Sequence, residues 1–84
     1  MTIQTTGNVV VTQNAYVLVS TGKSLLFINR GDVTLVFSTG TPEVTLDGIE
    51  LKAGDAIENS VGGSIYAKTR TAQVGSVSVT TLEV

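Results

Sequence analysis

The chain has 84 residues, a net charge of −2 and neither Cys nor His, which excludes disulfide stapling and thiolate or imidazole metal sites. Charged residues make up only 14%, against about 25% in an ordinary domain, and the basic ones are scattered, so no footprint for nucleic acid is expected. No apolar run approaches the ~20 residues of a membrane helix, and residues 1–12 carry neither the basic stretch nor the apolar stretch of an export signal, so no membrane partner is expected.

Val and Thr dominate the composition, and both are β-branched residues that favour strands. No window holds a helical period, and turn residues recur at short intervals. Residues 1–7 read as an extended polar N-terminal arm, and residues 8–84 as a single β-sandwich domain. Within it, strands are predicted over residues 8–12, 15–20, 24–30 and 33–38, the last two joined by Gly31-Asp32. A two-residue loop with Gly suits a tight hairpin, because Gly tolerates positive φ. Further strands are predicted over 44–46 and 49–51, flanking Asp47-Gly48 as a second hairpin, then over 56–59, 64–69 and 74–82. In the last, Val77 and Val79 point one way while Ser76, Ser78 and Thr80 point the other. About eight or nine short strands and no helix predict an all-β fold, an antiparallel sandwich, with a jelly roll as one arrangement of that kind.

The register of the two hairpins identifies the expected core. Around Gly31-Asp32, Ile28 faces Leu35 and Leu26 faces Phe37, and with Val33 these form one apolar face. Around Asp47-Gly48, Val44, Leu46, Ile49 and Leu51 share a side, with Glu50 and Lys52 on the wet side. The opposite face of the first hairpin is the unusual feature. It holds Leu25, Phe27 and Val36, with Phe27 and Val36 as cross-strand partners, where a solvated sheet should be polar. Either the arm or a loop covers it within the domain, or it meets another subunit, since apolar patches of a few hundred Å² often mark interfaces. Thr2 and Ile3 in the arm, with Leu25, Phe27 and Val36, are the candidate interface residues.

Motifs that resemble chemistry are better read as turns. Gly22-Lys23-Ser24 ends like a phosphate-binding loop, but Val17 stands where the pattern needs its first Gly, and a strand follows where a helix is required. Arg30-Gly31-Asp32 spells a cell-adhesion tripeptide at a position where a turn belongs. Asp47 and Asp55 each adjoin Gly as turn formers, and no calcium-loop pattern is present. Ser24 adjoins Lys23, but neighbours on a strand point to opposite faces. No catalytic set, cofactor or metal is therefore expected, and the chain reads as a non-enzyme.

The stretches Gly48-Ile49-Glu50-Leu51-Lys52-Ala53-Gly54-Asp55, Gly62-Gly63-Ser64-Ile65-Tyr66-Ala67-Lys68-Thr69 and Gly75-Ser76-Val77-Ser78-Val79 resemble small bacteriophage virion structural proteins of the capsid decoration (cement) or head-fibre type. The resemblance runs from Gly48 to the end and is one of strands and turns. It implies a structural role on a virion assembled in the host cytoplasm. The partner would be the major capsid protein or another virion protein, and the state a homo-oligomer such as a trimer. The alternative is a receptor- or glycan-binding module of a fibre, tail or adhesin, with the loops at Arg30-Gly31-Asp32 and Val61-Gly62-Gly63 carrying specificity. A cupin-type metalloenzyme would lack its His ligands.

Overall fold

Alternating β-branched and small polar residues build strands throughout the structure, a computed structural model that describes residues 2–60, 62–70 and 73–83, with side chains for 7–60, 62–70 and 73–80. The strands are β1 (Thr2–Val11), β2 (Val17–Ser20), β3 (Ser24–Arg30), β4 (Val33–Phe37), β5 (Ile49–Leu51), β6 (Ala56–Asn59), β7 (Ile65–Thr69) and β8 (Gly75–Glu83), with no helix among the described residues. They form two four-stranded antiparallel sheets, in the orders β1-β8-β3-β6 and β2-β7-β4-β5. Pairing is nested: β1 with β8, β2 with β7, β3 with β6 and β4 with β5. The chain is thus one long hairpin rolled across itself into an antiparallel sandwich.

The sheets meet through the alternate residues of each strand. Leu26, Ile28 and Val77 from the first sheet, and Val33, Leu35, Ile65 and Ala67 from the second, are fully buried together with Val11. Leu26, Ile28, Val33 and Leu35 are therefore core, as the sequence predicts. Phe37 shares their parity but lies at the end of β4, where it is 46% exposed. The split of β8 into inner Val77 and Val79 and outer Ser76, Ser78 and Thr80 also holds in its burial alternation.

Both predicted hairpins are corrected. Gly31 does adopt a positive φ of 81°, but it carries the chain from one sheet to the other. Both edges of β3 are occupied, by β6 and β8, and both edges of β4, by β5 and β7. No edge is left for a β3–β4 ladder, and the apolar residues of the two strands face each other across the sandwich. The Asp47-Gly48 hairpin does not form either. Residues 43–46 close a turn in which the Leu46 N–H donates to the Glu43 carbonyl at 3.0 Å, and Ile49–Leu51 pairs with β4 instead. Gly48 serves close approach, not a reversal: a Cβ there would lie 2.3 Å from the Leu35 oxygen and 2.6 Å from Val36 Cγ2. At the N-terminus, the strand expected to start at Asn8 starts at Thr2, so that residues 2–7 of the predicted arm run along β8.

Candidate functional site

The two outer faces of the sandwich differ in chemistry, because the polar and apolar residues that alternate with the core fall differently on each sheet. On the first sheet, Leu25 and Phe27 project outward from β3 and are 44% and 42% exposed. Leu25 lies between Thr80 and Glu58, and Phe27 between Ser78 and Ala56. Beside them, Ser78 Oγ donates to Asn8 Oδ1 at 2.8 Å, and Asn29 Nδ2 donates to the same oxygen at 3.2 Å. The strip along β1, β8 and β3 is small, neutral and apolar at its centre, with Glu58 at its margin on β6.

Val36 is not part of this surface. It lies in the second sheet, paired with Tyr66 and only 9% exposed, beneath Gly48. The predicted Phe27–Val36 pair is therefore absent, since the two strands belong to different sheets. Covering within the domain accounts for Val36, while Leu25 and Phe27 stay bare among the described residues. The backbones of Thr2 and Ile3 pair with Glu83 and Leu82; their side chains lie outside the described residues.

The outer face of the second sheet is charged and carries a roof, residues 44–48. Tyr16 anchors that roof: its hydroxyl donates to the Leu46 carbonyl. Burial, and then the charge of Asp47, push the Tyr16 phenol above its ordinary pKa. Lys68 Nζ lies 5.8 Å from the centroid of the Tyr16 ring. Thr34 sits between Glu50 on β5 and Lys68 on β7, and Arg70 Nη1 reaches Glu50 Oε2 at 3.5 Å. Roof and sheet enclose a cleft of about 240 Å³ lined by Thr34, Asp47, Glu50, Lys68, Arg70 and the residues of the roof. A second, more apolar groove of about 500 Å³ runs beside the exposed end of β4, along Phe37, Ser38, Thr39, Gly63 and Ser64.

Comparison with protein-family models, with curated proteins and with solved structures gives no match. The surfaces therefore stand on their own geometry.

The turn motifs have structural roles. The Gly22 carbonyl accepts hydrogen bonds from Ser20 Oγ, Ser24 Oγ and Asn59 Nδ2, each at 3.0 Å, and Ser24 opens a strand, so this loop is a knot of backbone acceptors. The Asp32 carbonyl accepts from the Arg70 N–H at 2.9 Å, which ties the Arg30-Gly31-Asp32 crossing to the end of β7. Asp55 caps its own turn, accepting from the Lys52 N–H at 2.8 Å. In the Val61-Gly62-Gly63 loop, Val61 lies outside the described residues, and the Gly62 N–H donates to Asn59 Oδ1 at 3.0 Å. Among the described residues, no three acidic side chains converge. Sequence reading misses the roofed cleft. It places Glu50 on the wet side correctly, but it makes residues 44–46 a strand, which removes the roof. The available signal is the pair Lys68 and Arg70, two residues apart at the C-terminal end of β7, Lys68 within it and Arg70 just past it.

Proposed function

We propose that this chain is a non-enzymatic structural protein of a bacteriophage virion, a capsid decoration or cement protein that binds between major capsid protein subunits as a homo-oligomer. The observation that carries the reading is the outer face of the first sheet, where Leu25 and Phe27 stand exposed beside Thr80, Ser78 and Ala56, with Glu58 as the charged neighbour on β6. Charge is depleted and aromatic residues are enriched at the centres of protein interfaces, and this face has that composition. A phage origin rests on the resemblance of residues 48–79 to small virion proteins. It is also in keeping with the nested strand order, which we read as that of the eight-stranded jelly rolls found, among others, in viral capsid domains.

The edges of the sandwich support self-association. The edge strands β2, β5 and β6 have four, three and four residues, whereas β1 has ten. Short strands, charges and prolines are the usual protections of a sheet edge, and β1 contains neither a charged residue nor a proline. In this reading the mechanism is mass action: contacts available only on the assembled shell stabilise that shell in proportion to how much protein binds. The test is co-sedimentation with undecorated, expanded phage heads. Saturable binding that Phe27→Ser abolishes is expected, and no binding at saturating protein sinks the proposal.

A further inference from the structure

The cleft under the roof gathers charged and hydroxyl side chains that only weak contacts tie to one another. Thr34 is only 6% exposed and lines the cleft. A threonine hydroxyl at that position can both donate and accept a hydrogen bond. On either side, one strand spacing of about 4.8 Å away, stand Glu50 and Lys68. Arg70 follows β7 directly, two residues past Lys68, and Asp47 comes from the roof. The Arg70–Glu50 ion pair is long at 3.5 Å, with side chains 40% and 62% exposed, so it is weak and readily exchanged for a ligand.

The chemistry of the lining selects the ligand class. Two cations face two carboxylates, so neither an anion nor a metal ion is favoured by net charge. Lys and Arg only donate hydrogen bonds, ionised Asp and Glu only accept, and Thr does both. A vicinal diol is the complementary group, because each hydroxyl gives one proton and takes another. Charge-assisted bonds of this kind are roughly twice as strong as neutral ones. The volume of about 240 Å³ lies below the ~300 Å³ at which drug-sized pockets begin, which suits one sugar ring. We infer that the cleft formed by Thr34, Asp47, Glu50, Lys68 and Arg70 binds a neutral saccharide unit. So open a site binds weakly alone, and an array of copies on one particle raises its avidity without new contacts.

The site is on the opposite face from Leu25 and Phe27, so its failure and that of the assembly reading are separable. The experiment is amide chemical-shift titration of the intact protein with glucose, galactose, mannose and N-acetylglucosamine singly, with inorganic phosphate and acetate as comparison ligands. Saturable shifts confined to residues 34, 44–50, 68 and 70 are expected for at least one sugar. They should weaken about tenfold in Thr34→Val and in Lys68→Ala, each losing one hydrogen bond, and persist in Phe27→Ser and Glu58→Gln. Overturning results are no shift with any of the sugars, shifts on the Leu25–Phe27 face, or a response to phosphate or acetate without one to sugar. Thr34→Val and Lys68→Ala spectra that are otherwise native confirm that binding, not folding, is read.

Discussion

Asn59 fastens one end of the sandwich through its side-chain amide. It is fully buried, its Nδ2 donates to the carbonyls of Gly22 and Gly63, and its Oδ1 accepts from the Gly62 N–H. Removing the amide takes this partner from the Gly63 carbonyl and the Gly62 N–H, while the Gly22 carbonyl keeps the hydroxyls of Ser20 and Ser24; orphaned buried groups cost about 1–3 kcal/mol each where water cannot reach them. Asn59→Ala is expected to lower unfolding stability by about 2–4 kcal/mol, read as a lower midpoint in urea with an unchanged slope. At the other sheet, the raised phenol of Tyr16 makes stability depend on alkaline pH. Below about pH 10, the ordinary value for a tyrosine, both folded and unfolded states hold the proton and nothing changes. Above it the unfolded state loses its proton first, so stability falls with rising pH until the folded phenol ionises as well. Tyr16→Phe should begin about 1 kcal/mol less stable, lacking the bond to Leu46, and should lack this alkaline slope. Urea midpoints of the two proteins between neutral pH and pH 11 check it, and parallel pH dependences would refute it.

Among the elements, the roof shows how a glycine can be required without a turn. A Cβ at residue 48 would meet the backbone of Leu35, whereas one at Gly40 would meet nothing within 4 Å. Gly48→Ala is therefore expected to cost about 2–3 kcal/mol, as overpacking does, and Gly40→Ala less than about 0.5 kcal/mol; comparing their thermal midpoints checks the pair. The same glycine explains what sequence could and could not convey. Seven of the eight strands stand near their predicted positions, because alternation and turn residues are local signals. Val77 and Val79 against Ser76, Ser78 and Thr80 sort to their expected faces for that reason. The hairpins at Gly31-Asp32 and Asp47-Gly48 fail because pairing is decided by distant partners. Once β8 and β6 flank β3, and β7 flanks β4, a Gly beside an Asp cannot impose a ladder. Of the predicted apolar surface, Leu25 and Phe27 were legible by parity, and Val36 was misplaced with its strand. The cleft was hidden because it joins residues of β4, β5 and β7 under a loop whose shape depends on the closeness of Gly48 to Leu35.

Taken as a whole, the molecule presents one outer face poor in charge and one charged, roofed outer face on a thin body, 37 × 25 × 16 Å. A domain of this size buries only about 60–65% of its unfolded surface, so association is an effective source of further stability. The central claim is that the Leu25–Phe27 face is a protein-binding surface, not a structural element of the monomer. Leu26, its fully buried neighbour, supplies the contrast: Leu26→Ala should cost about 2–5 kcal/mol, while Phe27→Ser should leave unfolding within about 1 kcal/mol once the chains are separated. The most direct measurement is solution mass by light scattering over a dilution series of the native chain and of Phe27→Ser. A native oligomer that becomes a folded monomer on substitution is the predicted result. A native chain that is monomeric at every concentration, or a Phe27→Ser chain that unfolds, would contradict the claim.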